Sequence, residues 1–534
     1  MGYKILIADP LSSELGKILA PLLAQHPDIE SPLGPLEDPK HLADALSDVD
    51  ALVVRSRTKV TAAALERAPK LRIIGRAGIG VDNIDVDAAT KRGIVVTNTP
   101  GGSNVTTAEH AIAMLLALAR SIPQASAAVR EGQWPRERWM GVEVCNKVLG
   151  IVGLGNIGTI VAERALGLRM KVVAFDPFVT PDAAARLGVE LVGIDDLVAR
   201  ADFITLHTPL TAETRGLLDA ARIGRMKRGV RIVNCARGGI IDEDALLAAL
   251  QSGQVAGAAL DVLAQEPPPP NHPLLQLPQV ICTPHLGAST DEAQVNVARA
   301  VVEQVIDFLS RGVIRSAVNA PSLSPEVLQV LRPYLTLAQK LGSLAGQLGA
   351  ELPVEVTVQA IGEAAERELR VLTTAALHGL LGQLLVDSGV NYVNAPAVAR
   401  ERGIKVIESR ATQTSDYMNA LGVHVRTASR TIVVEGAVFG AGVVRLTRIN
   451  DFKLEAVPEG YILMLHNRDV PGVVGRVGTL LGERGINIAG IELGRERVGG
   501  MALSLIHVDE PAPPAVLAEL RTQPDIVSAA LLRL

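Results

Sequence analysis

A chain of 534 residues is longer than one hydrophobic core organises, and its length points to roughly three or four domains. Hydrophobic residues at 48%, charged residues at 20% and a formal charge of -5 describe a globular protein with no global attraction to nucleic acid or to an anionic membrane. Three cysteines, Cys145, Cys235 and Cys282, make neither a disulfide framework nor a metal-ligand cluster, so no metal is expected and a reducing, cytoplasmic setting fits.

The opening MGYKILIADP reads as a strand rather than a signal helix, and Leu6 stands where a myristoylation signal needs Ser or Thr. Strand-like runs (YKILIAD, ALVVRSR, LRIIGRAG, GIVVTNT) alternate with helical stretches up to about residue 100, the pattern of a doubly wound α/β unit. AEHAIAMLLALARSI follows as a long helix whose apolar stretch, Ala111 to Ala119, is too short to span a bilayer. From 148 to about 285 the alternation resumes (DFITLHTP, VRIVNCARG, VAGAALDV, QVICTPHLG), giving a second doubly wound sheet, and a helix over roughly Glu292 to Leu309 is long enough to cross back to the first. VNAPSLSPE (318–326) reads as a linker, 327–455 as a separate α+β segment and EAVPEGY (455–461) as another linker. The last segment holds a strand, a turn with Asp469, Pro471 and Gly472, and an amphipathic helix (Val473, Val474, Val477, Leu480, Leu481) that stops at Gly485. With the strands and helix that follow, it makes a ferredoxin-like βαββαβ module.

Chemistry enters at VLGIVGLGNIGTIVAERALGLRMKVVAFDP (148–177). Val148 to Val152 is a buried strand, and Gly153, Gly155 and Gly158 fit G-x-G-x-x-G: one for the tight turn, one for close approach of a pyrophosphate, one for helix–strand packing. Lys171 to Phe175 is a second strand, and Asp176 ends it at the distance where an acid receives the adenosine ribose hydroxyls. Glycines alone would also suit a tight turn with no ligand, but strand, helix, strand and acid together make a Rossmann-like dinucleotide unit. Asp176 would repel a 2′-phosphate, and no Arg or Lys directly follows it, so the pattern selects NAD over NADP.

Arg237, Glu266 and His285 follow successive strands of the same unit, whose C-terminal ends line one crevice. Oxidising a hydroxyl needs a base for the O–H proton while hydride leaves carbon. His titrates in the useful range, a carboxylate beside it orients the ring, and Arg grips a carboxylate bidentately. Each residue alone has a bland reading as a loop or surface charge; their joint placement beside the nucleotide unit favours catalysis.

GLGNIG, HTPLTAETRGLLD, VNCARGGIIDEDAL, GAALDV…EPP and PHLGAST closely resemble the D-2-hydroxyacid dehydrogenase family. GRAGIGVDNID, NTPGGSNVTTAEHA and NYVNAPAVARERGI extend the likeness over the whole length, to the family's long form with an intervening allosteric domain and a C-terminal ACT domain. The resemblance implies two Rossmann-like domains followed by the α+β intervening and ACT domains. It divides the chain into 1–99 plus 288–318 for substrate, 100–287 for NAD, 319–455 for the intervening domain and 460–534 for ACT. It implies NAD-dependent oxidation of D-3-phosphoglycerate in L-serine biosynthesis by Arg237, Glu266 and His285. Around NAD it places Gly153, Gly155, Asn156, Ile157, Gly158, Asp176, Thr208, Cys235, Ala236, Asp261 and Gly287.

For the substrate's phosphate, VVRSRTK places Arg55, Arg57 and Lys59 on a strand-end loop, and GRAGIG adds Arg76. The resemblance puts Arg55 and Arg76 on substrate-contacting positions. Backbone N–H groups of AGIG (77–80), with Ala77 and Gly78, offer a hold for the substrate carboxylate. Where the family has Asn, this chain has Ser103 followed by Asn104: either Ser103 replaces the amide or the loop presents Asn104. In the ACT module, Asn467, Asp469 and Asn487 match positions that hold L-serine as effector, although by residue type alone Asp469 would cap a helix and Asn487 turn the chain. AEHAIAMLLALAR is apolar over more than one face, which suits a dimer interface in this family, and the C-terminal module exposes sheet edges that pair, so a homotetramer is expected. Two other readings share the core: a glyoxylate/hydroxypyruvate reductase, which would not need the two appended domains, and an NAD-sensing, corepressor-like scaffold, which would carry partner-binding tails not seen in this sequence.

Overall fold

Short apolar runs rich in Val and Ile set the first sheet. In the computed structural model, which describes residues 2–534 apart from 135, 323–324, 367, 386–388, 412–416 and 441, it comprises β1 (Ile5–Ile7), β2 (Ala51–Val54), β3 (Ile73–Arg76) and β4 (Val95–Thr97). The strands are parallel in the order β1-β2-β3-β4, and every residue of β1, β2 and β4 is buried, as helices on both faces require. Parallel bridges from Tyr3 to Ile29 and from Leu6 to Leu33 extend the sheet past β1, so the chain winds outward both ways from it.

The second sheet is parallel and seven-stranded: β5 (Val148–Val152), β6 (Lys171–Phe175), β7 (Glu190–Leu191), β8 (Phe203–Leu206), β9 (Val230–Asn234), β10 (Val255–Leu260) and β11 (Val280–Cys282). Its order, β11-β10-β9-β8-β5-β6-β7, reverses between β5 and β8, and a crevice opens outside the strand C-termini at such a switch point. The Asn104–Arg120 helix covers one face, packing Ala111, Leu115 and Leu118 into a core with Leu149, Ile151 and Val233. The Asp291–Arg311 helix returns to the first sheet. Thr290 caps its start, accepting from the Ala293 N–H at 3.2 Å, and Gly312 ends it with a left-handed φ of 66°. Its Val301 and Val305 lie directly on Gly75 of β3, where a Cβ would come within 2.6 and 3.0 Å of their methyl groups. These two crossings fix the two sheets beside a shared cleft. Among the described residues no single helix is long and apolar enough to cross a membrane.

The helices Pro325–Gly349 and Leu369–Leu384 pack on a mixed six-stranded sheet of β12 (Glu355–Gly362), β13 (Lys405–Ala411), β14 (Asn419–Arg426), β15 (Thr431–Phe439), β16 (Val443–Ile449) and β17 (Phe452–Ala456). Of the expected linker at 318–326, residues 323–324 lie outside the described residues and the helix already begins at Pro325. The expected linker at 455–461 shrinks to 457–460. Ala456 still pairs with Leu446, and Phe452, Leu454 and Ala456 alternate inward with exposed Lys453 and Glu455, a strand period that the neighbouring Pro and Gly obscure.

The last sheet, β18 (Tyr461–Arg468), β19 (Ile488–Arg495), β20 (Met501–Val508) and β21 (Ile526–Arg533), is antiparallel in the order β19-β20-β18-β21, the ferredoxin-like arrangement. Leu463 and Leu465 face its own helices, Val473–Glu483 and Pro514–Thr522. The opposite face is covered too: Ile462, Met464, Leu503, Leu505 and Leu532 belong to the core of the six-stranded sheet. The two C-terminal segments, which read as separate in sequence, therefore share one hydrophobic core.

Candidate active site

The C-terminal ends of β9, β10 and β11 bring the three strand-end residues together. His285 follows β11 with a left-handed φ of 55°, unusual for a residue with a side chain. Its Nδ1 lies 2.7 Å from Glu266 Oε2, and Glu266 is steadied through Oε1 by the Leu263 N–H at 3.2 Å. The hydrogen bond to Glu266, then its charge, raises the His285 pKa against the effect of burial. For Glu266, burial works against ionisation, but the His285 contact outweighs it and the pKa falls.

Asp261, at the end of β10, fixes that backbone. Its carboxylate is 2% exposed and accepts from the Thr283 hydroxyl (2.5 Å), the Leu286 N–H (2.7 Å) and the Gly287 N–H (2.8 Å), with His110 Nε2 at 3.2 Å. Burial opposes its charge, yet the bonds from His110, Thr283 and Leu286 hold its pKa below the usual carboxylate value. The Asp261 carbonyl also accepts the His285 N–H at 3.0 Å. The resemblance implies Asp261 and Gly287 around NAD; in this structure the Gly287 N–H also bonds the Asp261 carboxylate, and the pair clamps the His285 turn. His110 and Thr283 complete the clamp, and neither stood out in the sequence because nothing near them in the chain names their partner.

Arg237 extends from the β9 end across the cleft. Its Nε lies 3.1 Å from Asp82 Oδ2 and its Nη1 donates to its neighbour's carbonyl, Ala236 O, at 2.7 Å. Buried Asn234 holds this turn from beneath, accepting from the Ala236 N–H (3.0 Å) and donating to the Arg237 carbonyl (2.9 Å). Arg76 faces Arg237: burial, followed by the charges of Arg237 and Arg55, pushes its pKa down to about 10. Its Nη1 folds back to the Ala77 carbonyl at 2.9 Å, and its Nε is buried without a partner. Arg55 donates to the Pro10 carbonyl at 3.3 Å, while its own N–H is held by Asp9 at 2.6 Å. Arg57 bonds the Glu37 carbonyl instead.

Two expected donors are otherwise engaged. The Ala77 N–H continues the sheet to the Val54 carbonyl (2.8 Å), and the Gly78 N–H bonds Thr99 Oγ1 (2.8 Å) and the Arg76 carbonyl (2.9 Å). Within AGIG it is the Ile79 and Gly80 N–H groups that make no hydrogen bond among the described residues. Ser103 is 2% exposed and makes no capping bond, whereas the Asn104 Oδ1 is buried without a partner at the start of its helix.

The glycine turn after β5 fits a dinucleotide. A Cβ on Gly153 would lie 2.6 Å from the His207 carbonyl and one on Gly158 would lie 2.0 Å from the Gly153 carbonyl, whereas Gly155 has nothing within 4 Å. The open side is thus at Gly155, the N-cap of the Asn156–Gly167 helix, which has no side-chain cap for its first N–H groups. Asn156 is exposed at this mouth, and Ile157 packs on the core beneath it. Asp176 aligns the turn, accepting from the Leu154 N–H and the Phe178 N–H, both at 2.8 Å. Thr208 Oγ1 is buried with no partner, and Cys235 is 6% exposed with its thiol pKa pushed up by burial. His207, unnoticed in the sequence, is half-buried beside Thr208 with its Nδ1 shielded from solvent, and that burial pushes its pKa down to about 4, so it is neutral at pH 7.

In the last module the three polar positions bond to different partners. Asn467 is 2% exposed, donates to the Arg468 carbonyl and accepts from Ser504 Oγ. Asp469 accepts from Arg495 Nη1 (3.2 Å) and the Gly499 N–H (3.1 Å), and Asn487 donates to Asp509 (2.7 Å). The Val473–Glu483 helix between them has Gly472 at its N-cap and no side-chain cap.

Comparison with known proteins agrees with this construction. Residues 112–287 match the NAD binding domain of D-isomer specific 2-hydroxyacid dehydrogenases, 330–450 the D-3-phosphoglycerate dehydrogenase intervening domain and 461–525 the ACT domain. The chain is 45% identical to a D-3-phosphoglycerate dehydrogenase of Synechocystis over 97% of its length and 92% of the relative's, and 43% identical to that of Bacillus subtilis over 100% of both. Among solved structures, a glyoxylate reductase from Paecilomyes thermophila matches 59% of this chain and 98% of its own (30% identity, TM-score 0.53). The D-lactate dehydrogenase of Aquifex aeolicus, complexed with NAD and lactic acid, matches 60% and 100% (27% identity, TM-score 0.51). The cleft, the glycine turn and the two appended domains thus belong together: this chain is a member of the NAD-dependent D-3-phosphoglycerate dehydrogenase family.

Proposed function

We infer that the chain oxidises D-3-phosphoglycerate to 3-phosphohydroxypyruvate with NAD, the first step of L-serine biosynthesis, using Arg237, Glu266 and His285. The observation that carries this reading is the His285–Glu266 pair at 2.7 Å, with the Arg237, Arg76 and Arg55 charges across the same cleft. With Nδ1–H directed at Glu266, His285 Nε2 takes the substrate hydroxyl proton, and Glu266 stabilises the imidazolium. Bound NAD supplies acceptance of the hydride from the adjoining carbon. Arg237 exchanges Asp82 for the substrate's carboxylate and polarises the nascent carbonyl. The Ile79 and Gly80 N–H groups meet that carboxylate, Asn104 turns its free Oδ1 to the substrate, and Arg55 and Arg76 take the phosphate. In this reading Arg55, Arg76 and the Ile79 and Gly80 N–H groups of 1–99 face Arg237 and His285 of 100–287 across one cleft.

L-Serine is the effector in this reading, with its carboxylate at the uncapped Val473–Glu483 helix and its ammonium near Asp469 and, across a subunit interface, Asn487. Asn467 supports the strand from within. A homotetramer in the cytoplasm completes the reading: Val105, Ile122, Trp134 and Met140 are exposed apolar residues on and after the Asn104–Arg120 helix, and Ile491 and Leu493 are exposed on edge strand β19. A glyoxylate reductase would use the same cleft, but the solved example matches only 59% of this chain.

The test is turnover of D-3-phosphoglycerate against glyoxylate, with and without L-serine, in wild type and His285→Ala. The reading expects preference for phosphoglycerate, inhibition by serine, and a ~10² to 10⁴-fold loss in His285→Ala with NAD binding retained. Near wild-type turnover in that variant overturns the proton relay, and serine binding untouched by Asp469→Ala and Asn487→Ala overturns the effector site. A monomer by light scattering at micromolar concentration overturns the assembly.

A further inference from the structure

A cavity of about 580 Å³ lies between the first sheet and the Pro325–Gly349 helix, outside the catalytic cleft and the dinucleotide turn. That volume is in the range of small-molecule sites. Among the described residues its charged lining is of one sign: Arg72, Arg92, Arg311 and Arg332 face it, with no Asp or Glu.

The arginines come from both sides of a domain junction. Arg72 directly precedes β3, Arg92 is the C-cap of the Val86–Lys91 helix, and Arg311 is the last residue of the Asp291–Arg311 helix. Arg332 comes from the Pro325–Gly349 helix, where Leu331, Tyr334, Leu337 and Ala338 fill the core while Arg332, Thr336 and Gln339 line the cavity at helical spacing. Apolar Val95, Phe308 and Leu335 complete the wall. Asn391 closes the junction alongside, its Nδ2 donating to the Gly93 carbonyl at 3.0 Å.

Among the described residues most of these cations lack an anion of their own: Arg72, Arg92 and Arg332 pair with no carboxylate, and Arg311 shares Asp307 with Arg315. The Arg72 guanidinium is held between the Tyr3 and Phe308 rings at 5.5 and 5.4 Å, which fixes its position without neutralising it. Arg92 and Arg311 sit at helix C-termini, where the dipole alone favours a cation. Arg72 and Arg332 have no such reason, and Arg332 is mid-helix.

We propose that this cavity binds a small polyanion, a phosphate ester or a polycarboxylate, gripped by arginines of both domains. Guanidinium forks match either group bidentately. Because the ligand would touch both walls, its binding would favour the arrangement in which the intervening domain is docked on the first. This proposal is independent of the reaction assigned to the cleft.

The test is calorimetric titration of the full-length chain with inorganic pyrophosphate and, separately, citrate, in wild type, Arg332→Ala and Arg332→Glu. Arg332 is exposed and outside the catalytic machinery, so basal turnover and thermal stability are expected to stay within about twofold and a degree or two of wild type. The expected result is a ~10-fold or greater loss of affinity in Arg332→Ala and a larger one in Arg332→Glu. Affinity loss for one probe alone supports the site and names its chemistry. Equal binding in all three proteins places the anion elsewhere, including at the catalytic arginines, and overturns the proposal; so does the absence of binding of both probes at millimolar concentration.

Discussion

Asp261→Asn separates the role the structure gives this residue from that of a cofactor contact. The substitution keeps the shape and removes one acceptor. One carboxylate oxygen serves Thr283 Oγ1 and the Leu286 N–H, the other serves the Gly287 N–H. Asn does best by leaving its carbonyl toward Thr283 and Leu286, which turns its NH2 toward the Gly287 N–H. Two donors then face each other where 2.8 Å now separates donor from acceptor, in a site only 2% exposed. A buried donor left unsatisfied costs about 1 to 3 kcal/mol. Relief comes from shifting the 285–287 turn, and the left-handed backbone of His285 shifts with it.

The expected outcome is a loss of about 1 to 3 kcal/mol of stability, and a fall in kcat of ~5- to 150-fold if that energy is expressed in displacement of the base. Denaturant unfolding and steady-state kinetics read the two, and NAD affinity is measured by fluorescence titration. A positioning role predicts that kcat falls more than NAD affinity; a loss confined to NAD affinity refutes it. Acid gives a second check. The folded pKa of Asp261 lies below the unfolded value of about 3.9, so its stabilisation is complete above that pH and disappears as pH falls through the lowered folded value. The Asn variant therefore loses its stability deficit in acid, and a deficit independent of pH contradicts the assignment.

Glu266→Gln lowers the His285 pKa, because Glu266 is the main cause of its elevation; the ascending limb of kcat/KM for oxidation moves to lower pH, and an unmoved limb would detach the pair from the titration. Loss of Glu266 also removes the stability the pair gives, which is present below the unfolded His pKa and fades as pH rises through the raised folded value. Asp176→Ala weakens NAD and improves relative use of NADP, since the anion opposing a 2′-phosphate is gone and the Leu154 N–H loses its partner; unchanged preference in paired assays would show that Asp176 does not face the ribose. Gly75→Ala drives a Cβ to 2.6 Å from Val301 and destabilises the first domain by about 1 to 3 kcal/mol, read by denaturant unfolding, with an unchanged midpoint the contrary result.

What the sequence made legible was periodic or positional. Val148 to Phe175 announces strand, turn, helix and strand because both strands are buried on two faces and glycine is the residue that tolerates the approach at Gly153 and Gly158. Arg237, Glu266 and His285 were legible because parallel strands end on one side of a sheet. Partners fixed only by three-dimensional closure were not. Asp82 meets Arg237 across 155 positions and His110 meets Asp261 across 151, and no local pattern marks either. The Ala77 and Gly78 N–H groups looked available because a glycine-rich turn hides how far β3 continues its ladder. The shared core of the last two domains was hidden for a related reason. A strand with both faces buried reads the same whichever face meets its own helices.

That shared core changes how a signal from the last module must travel. An isolated ACT module on a flexible linker would report its state only through subunit contacts, whereas here β18 sends Leu463 and Leu465 to its own helices and Ile462 and Met464 into the neighbouring core. Lys340 bonds the Pro458 carbonyl and Gln347 bonds the Arg533 carbonyl at 2.8 Å, so the Pro325–Gly349 helix holds both ends of the module. Well-packed interiors resist continuous deformation, and these two sheets therefore move together or not at all. Their contact with the catalytic half is narrower: Val393 enters the core of the first sheet, flanked by Asn391 on the Gly93 carbonyl, Asn394 on the Lys91 carbonyl, and the ion pair of Lys91 with Glu401. Gly93 lies two residues before β4, which leads through Thr97 to Asn98, whose carbonyl is held by Gln304 of the returning helix. The narrow junction, rather than either domain interior, is where a ligand-driven change has the fewest contacts to break.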